Sequence, residues 1–519
     1  MRYFHTLRFL KPTQVYYQLF YKLRRIFRNF TKFKYSYHSY QQGQTLAVNE
    51  AMPASYESYR FDEKHQFTFL NLSESFIKID WDYSTYGKLW TYNLNYFDFL
   101  NQTSITKEQG LVLINDFIPQ LPQLENANEP YPISLRGINW VKFLSKHNIS
   151  NKEIDQSLYS QYLILLNNLE YHLLGNHLLE NGFSLYIGGC YFKNEKLINK
   201  GFSILKKELK EQILLDGAHY ELSPMYHQIL LSRLLDCISI GNSEHLPLMK
   251  NYAQKMCGWL KAISFNNGEI PLLNDSAKNI APTTTTLLRY AEKLGINPSP
   301  RELKDSGYRK YKLGEAELIF DIGKIGPSYI PGHAHADIFN FVLSDNGLPI
   351  VVDTGISTYE KNQRRQEERS TFSHNTVEIN HKNQVDVWDG FRVGKRARIE
   401  ILKDEIKETT ASHNGYRSEN SIHQRSWKIA NPSIASFIIE DHIFGNNSTA
   451  RAYIHFHPSC EVKIVEEKIK VNNWIIQFDK VNTLYLQPYL YTEEYNGTKE
   501  GIVAVINFKS SLISYFNKG

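Results

Sequence analysis

The residues best suited to chemistry cluster between Pro331 and Asn375, in the run PGHAHADIFNFVLSDNGLPIVVDTGISTYEKNQRRQEERSTFSHN. His333 and His335 lie two apart in an alternating stretch, and a strand there would put both imidazoles on one face. Asp353 ends the apolar run Leu348–Val352, and His374 sits in a polar segment beyond it. Imidazoles and a carboxylate are a good donor set for a borderline divalent ion, zinc first. The same residues also suit plain polar strand ends, and spacing does not decide between the two. Two breaks upstream add a second group. In GNHLLENGF (175–183), Asn176 and His177 follow a glycine at a helix end. In DGAHYELSPMYHQILL (216–231), Ser223 reads as an N-cap and Pro224 as the first helical residue. That puts Tyr226 in the first turn, where the helix dipole favours a phenolate, with Leu230 and Arg233 on its face. In YPISLRGINWVKFL (131–144), with Ser134 as the expected cap, Arg136, Asn139 and Trp140 fall near one helix face. A cation, an amide and an indole together suit an acidic sugar. A buried Trp beside a surface Arg fits the pattern equally well.

These groups need a scaffold, and apolar periodicity supplies one. Helices are predicted over 107–118, 136–147, 155–174, 178–194, 197–215, 224–240, 245–264 and 283–294. Short polar breaks separate most of them, which implies a toroid of helical hairpins. The Pro- and Gly-rich stretch Gly295–Gly307 reads as a linker. After it, short strands with turn signals dominate, among them AELIFDIG, FNFVLSDNG, ARAYIHFHPS and GIVAVINFKS, and imply an antiparallel β-sandwich. The expected organisation is a basic N-terminal segment at 1–50, an (α/α) toroid at 51–300 and a sandwich carrying the metal site at 301–519. Residues 36–88 give no clear period, and neither does LWTYNLNYFDFL (89–100).

The chain has 519 residues, 42% hydrophobic and 22% charged, with 34 Tyr, so it is globular and rich in rings that could stack on sugars, although most of them are expected in β-sheet cores. Net charge is +5, unevenly spread. Residues 1–49 hold nine Lys or Arg and no acid, leaving 50 Lys or Arg against 54 Asp or Glu in the other 470 residues. That local gradient is not a nucleic-acid signature, and no such motif occurs. Four distant cysteines make neither a disulfide framework nor a C-x-x-C site. No apolar run reaches the ~20 residues of a membrane span, and the N-terminus does not read as a signal peptide. This reads as cytoplasmic, with periplasmic or membrane-peripheral placement open. A helix starting near Pro12 carries an apolar stripe of Val15, Tyr16, Leu19, Phe20, Leu23, Ile26 and Phe27, flanked by Lys22, Arg24, Arg25 and Arg28. It could lie on an anionic membrane. The favoured expectation is that the stripe packs on the body with the basic face in water.

The order and spacing of WTYNLNYFDFL, SLRGINW, GNHLLENGF, DGAHYELSPMYHQ, IPLLNDS, GHAHADIFNF, VVDTG and RSTFSHNTV resemble the heparinase II/III-like polysaccharide lyases, over about Leu89 to Asn383. The resemblance implies a toroid and sandwich with the substrate cleft between them. It implies a structural divalent metal, zinc favoured, on His335, Asp353 and His374, with His333 facing the substrate and no organic cofactor. It implies β-elimination on a uronate polymer, with glycosaminoglycans the first expectation and alginate, gellan or a bacterial capsular glycan as alternatives. Asn176 matches the carboxylate-binding amide and Tyr226 the catalytic tyrosine; His177 or His333 is then the candidate base. Arg136, Asn139, Trp140 and Tyr359 become subsite residues. Arg364, Arg365 and Arg369 are expected to pair with Glu360, Glu367 and Glu368. A metal-dependent hydrolase and a non-catalytic glycan-binding protein on the same fold are the readings from other classes.

Overall fold

The computed structural model describes residues 2–445 and 449–519. Its helical part opens with α1 (Arg2–Leu7) and α2 (Pro12–Phe30). A small antiparallel sheet follows, formed by β1 (Tyr59–Asp62), β2 (Lys64–Phe69) and β3 (Leu72–Phe76). This sheet fills the stretch that shows no period in the sequence. Its inward rings, such as Phe67 and Phe69, join the helical core. Then come α3 (Lys88–Tyr96), α4 (Lys107–Gln120), α5 (Pro130–Lys146), α6 (Lys152–Leu166), α7 (Gly175–Phe192), α8 (Glu195–Gln212), α9 (Pro224–Ile240), α10 (Leu246–Ile263) and α11 (Thr284–Lys293).

Local chemistry sets the ends of these helices. Thr106 and Gln109 form a capping box on α4, and Asn151, Asn194, Ser223 and Thr283 cap α6, α8, α9 and α11. α5 begins earlier than expected, with Pro130 in its first turn; Ser134 is not its cap but lies inside it, donating to Pro130 O at 2.9 Å. The helix expected to reach residue 174 stops at Leu166. There the Asn167 amide takes the Leu163 carbonyl at 2.8 Å, so a side chain competes with the backbone ladder. α7 is apolar nearly all round, as befits a helix buried on every side. It meets α8 backbone to backbone. A Cβ on Gly189 would lie 2.6 Å from Ile198 N, and one on Gly201 2.6 Å from Tyr186 N.

Beyond Lys293 the chain becomes strands: β4 (Tyr308–Leu313), β5 (Ala316–Asp321), β6 (Phe341–Asp345), β7 (Leu348–Val351), β8 (Val377–Ile379), a two-stranded pair β9 (Val387–Trp388) and β10 (Arg392–Val393), β11 (Ile399–Glu405), β12 (Glu408–His413), β13 (Ser421–Asn431), β14 (Ser436–Gly445), β15 (Ala450–Phe456), β16 (Val462–Val465), β17 (Lys468–Val471), β18 (Trp474–Glu494) and β19 (Gly497–Lys518). α12 (Gln363–Glu368) interrupts them. Fourteen strands form one antiparallel sheet whose main path runs β11-β12-β13-β14-β19-β15-β7-β6-β5-β4. The sheet folds over on itself. β5 and β13 are far apart in that order, yet Phe320 and Trp427 stack at 4.3 Å across the core. The expected sandwich is thus a single folded sheet.

α2 sits on the body the opposite way round from expectation. Arg24 and Arg28 face inward, bonding Asn167 O and Asn168 Oδ1, and the apolar stripe faces out.

Candidate active site

A buried carboxylate that sequence reasoning did not single out organises the site. Asp275 lies in the loop between α10 and α11 and accepts a bidentate pair from Arg365 of α12, at 2.6 and 2.7 Å. It also receives His333 Nδ1 on Oδ2 at 2.9 Å and His335 Nε2 on Oδ1 at 2.9 Å. Residues 331–336 are turns, not the expected strand. Both imidazoles converge because they share this carboxylate. Burial pushes the Asp275 carboxyl up, but the Arg365 guanidinium and the two imidazoles outweigh it and hold it well below the usual range. A carboxylate on Nδ1 fixes the His333 tautomer and leaves Nε2 for other work.

Ser223 ties the backbone of Asp275 to the backbone of Tyr226. Its Oγ accepts from Tyr226 N–H at 3.3 Å, capping α9, and donates to Asp275 O at 2.8 Å. The Tyr226 ring stacks on His333 at 4.0 Å, and its hydroxyl meets that of Tyr359 at 3.2 Å. Burial raises the Tyr226 pKa, so the phenol is held protonated. Desolvation outweighs the slight pull of the helix dipole toward a phenolate.

Two left-handed residues, Leu174 (φ 63°) and Gly175 (φ 59°), turn the chain into α7. Asn176 and His177 follow in its first turn and line the same cavity as Tyr226 and His333. His177 Nδ1 bonds Glu170 Oε1 at 3.0 Å, and Asn181 holds the other Glu170 oxygen at 2.9 Å. Burial would lower the His177 pKa, but Glu170 reverses the shift and raises it. Glu221 lies 3.5 Å from His333 Nε2, with its own pKa raised by burial.

The cavity measures about 1090 Å³ and lies at the seam between toroid and sandwich. Tyr92, Tyr131 and Arg233 line it from the helical side, and Tyr359, Phe391 and Tyr495 from the sandwich side. Five Lys or Arg and three Asp or Glu contribute to its walls. Of the expected subsite residues, Tyr359 and Asn139 reach the cavity, although the Asn139 amide is spent on Tyr96 O at 2.9 Å and on Asn101. Arg136 and Trp140 do not reach it. Arg136 is fully buried and bonds Gln161, Asn95 O and Ala127 O. Trp140 packs against Phe97 and Phe117. Their shared face is a core face. Arg364 pairs with Glu368 as expected, but Arg365 holds Asp275 and Arg369 holds the carbonyls of Ala334, Asp389, Gly390 and Arg392.

The residues expected to hold a metal also come together. His374 Nδ1 bonds Asp353 Oδ2 at 2.8 Å, and the His335 and His374 rings lie 5.3 Å apart. His335 Nδ1 and His374 Nε2 are buried with no hydrogen-bond partner. Imidazole donors left unsatisfied beside a carboxylate fit a divalent cation chemically. As placed, Asp353 stands behind His374, and among the described residues no three His, Cys, Asp or Glu converge on one point.

Asp275 and Glu221 lie inside the motifs IPLLNDS and DGAHYELSPMYHQ, but neither motif marks the role of its acid. Nothing in sequence spacing links Asp275 to His333 58 residues on; only the fold does.

A helical toroid closes against a folded antiparallel sheet, and a tyrosine, imidazoles and an amide line the cavity at the seam. The description "Heparinase II/III N-terminus" matches residues 133–304 and "Heparinase II/III-like, C-terminal" matches residues 295–512, and the chain belongs to this family. It is 26% identical over 247 residues to a heparin-sulfate lyase of Pedobacter heparinus, covering 41% of this chain and 37% of that protein. It is 22% identical over 353 residues to a heparin-sulfate lyase of Bacteroides stercoris, covering 61% of this chain and 50% of that protein. The chain thus spans half or less of the length of these curated relatives. A crystal structure of heparinase III has the same fold, with TM-score 0.66 and 15% identity over 93% of this chain and 88% of that one. The heparan sulfate lyase HepC of Pedobacter heparinus superposes with TM-score 0.56 and 17% identity, over 88% of this chain and 81% of that one.

Proposed function

We propose that this protein is a polysaccharide lyase that cleaves a uronate-containing glycan, of the glycosaminoglycan type, by β-elimination. The observation that carries the reading is the Tyr226–His333 stack facing the same cavity as Asn176 and His177. The family and its lyase relatives support it. So do the aromatic walls, which suit sugar rings, and the surplus of cationic over anionic groups around the cavity.

Each step falls to a named group. Asn176 and His177, whose pKa the Glu170 carboxylate raises, bind the uronate carboxylate and take up the charge that develops as C5 loses its proton. His333, its Nδ1 tied to Asp275, presents Nε2 as the base. The C5–H pair becomes the C4–C5 double bond, the C4–O4 bond breaks, and Tyr226, kept protonated by burial, gives its proton to O4. Tyr226 and His333 stack ring on ring and so reach the sugar from one side. They suit a uronate whose C5 proton and O4 share a face, as in glucuronate.

Time-resolved ultraviolet absorbance on heparan sulfate, chondroitin sulfate, hyaluronan, alginate and gellan is the test. An unsaturated uronide product is expected on at least one of them. Tyr226→Phe and Asn176→Ala should each lower the rate by about a hundredfold or more with little change in thermal stability. Saturable binding with no rise in absorbance on any of the polymers would instead favour a glycan-binding protein.

We also propose that His335 and His374, through their unpartnered nitrogens, hold a divalent ion, zinc favoured, with Asp353 as third ligand once its carboxylate turns from His374 Nδ1 toward the ion. When bound it supplies rigidity to the loop that carries His333, not a step of the chemistry. Chelation followed by metal analysis should release close to one equivalent and lower the melting temperature. A metal-free protein of unchanged stability would sink this part.

A further inference from the structure

The inverted docking of α2 leaves its apolar face uncovered by the described residues. Inward, Gln14 bonds Leu173 O at 3.1 Å, Tyr17 stacks on Tyr171 at 4.8 Å, and Arg24 and Arg28 grip Asn168. Outward stand Tyr16, Leu19, Leu23, Ile26, Phe27 and Phe30, with Leu23 68% and Phe30 86% exposed. A stripe of leucines and aromatic rings along a helix of about 28 Å is far more than the scattered apolar residues of an ordinary surface.

Charge says what covers it. Lys22 and Arg25 are exposed on one flank, Lys32 and Lys34 just past the helix end, and no acid occurs in residues 1–49. Such a face complements anionic headgroups, whereas two copies face to face would set cation against cation. The helix is already folded and pinned by its other side, so it can lie in a bilayer interface at no folding cost. Among the described residues no helix is long and apolar enough to cross a membrane.

We propose that the outward face of α2 docks this protein onto an anionic lipid surface. Leu7, Leu10, Gln14 and Gln18 of the same N-terminal segment line the cavity at the domain seam. Docking therefore holds the cleft beside the bilayer, where it would meet glycan emerging from or anchored to that membrane. The docking does not depend on the chemistry in the cleft, and its test uses no turnover.

The test is cosedimentation of the full chain with vesicles of phosphatidylcholine plus phosphatidylglycerol, with pure phosphatidylcholine as the neutral control. The wild type is expected to pellet with anionic vesicles, less so at high salt. The doubly substituted Leu23→Glu/Phe27→Glu protein should bind at least about tenfold more weakly. Both positions are exposed, so its circular dichroism and melting temperature should match the wild type. Lys22→Glu/Arg25→Glu should lose the preference for anionic over neutral vesicles. Absence of wild-type binding, or equal binding by the Leu23/Phe27 variant, overturns the proposal. So does a lipid-free dimer in light scattering that the same variant abolishes, since the occupant would then be a second copy.

Discussion

At the scale of single residues, Asp275 is the most constrained group in the site. It is fully buried, and its two oxygens receive four bonds from three side chains, each from the sandwich half. Asp275→Asn keeps the shape but leaves the buried Arg365 guanidinium without its counter-charge, at a cost of about 3–5 kcal/mol. It also frees His333 to rotate, so activity should fall even where the protein stays folded. Replacing both partners with apolar side chains, as in Asp275→Leu/Arg365→Met, should destabilise less than the sum of the single changes, because no charge is then orphaned. Urea unfolding of the four proteins measures the coupling. Strict additivity would mean that the pair is not an energetic unit.

At the scale of elements, α7 carries the site at one end and a buried acid in its middle. Glu180 is fully buried, both of its oxygens lack hydrogen-bond partners, and Arg233 Nε stands 3.6 Å away. Burial outweighs the Arg233 attraction and pushes the Glu180 pKa up to about 7. Below the unfolded value near 4.5 both states hold the proton and nothing is lost. Between 4.5 and 7 only the folded state keeps it, so stability falls as pH rises through that window, by roughly 3 kcal/mol in total. Glu180→Gln should flatten this slope. Little difference is expected at pH 4, and a gain of about 1–3 kcal/mol at pH 8, part of it offset by the loss of Arg233's counter-charge. Denaturant curves at both pH values check this; a variant less stable at pH 8 would contradict it.

The elements also show why some of the fold could be read from the sequence. α9 runs from Pro224 to Ile240, the predicted span, because Ser223-Pro224 is a local signal that acts within one turn. β12 and β13 were not foreseen because their buried faces are polar. His413, His423 and Arg425 are satisfied by one another and by Asp441, a network invisible to hydrophobic period. The same limit explains Arg136 and Trp140. Helical spacing placed them together correctly, but it cannot say whether the face they share is core or cleft. For α2 the stripe was legible and its direction was not, because a lone helix carries no record of which face has a partner.

At the scale of the whole molecule, toroid and sandwich share cores as well as a cleft. Trp259, Ile263 and Leu273 from the helical half pack with Tyr308, Ile319 and Val342 from the strands. Tyr308 donates to Leu222 O at 2.6 Å, and Asp216 accepts the backbone N–H groups of Lys304 and Ser306 at 3.1 and 2.9 Å. A seam with its own buried apolar cluster is expected to couple the two halves, unlike the polar contacts that let domains move freely. The full chain should therefore unfold in one calorimetric transition despite its size. Trp259→Ala opens a cavity in the seam worth about 3–5 kcal/mol and should shift that single transition downward, carrying near-ultraviolet signals from both halves. The segment 301–519 made alone exposes Tyr308, Ile319 and Val342 and should aggregate or remain partly folded. Two well-separated transitions in the full chain, with Trp259→Ala moving only the helical one, would show that the halves are held together by the chain and the polar contacts, not by a shared core. In that case the geometry of the cleft, which draws its tyrosine from one half and its imidazole from the other, would have to be fixed mainly by the Asp275–Arg365 pair.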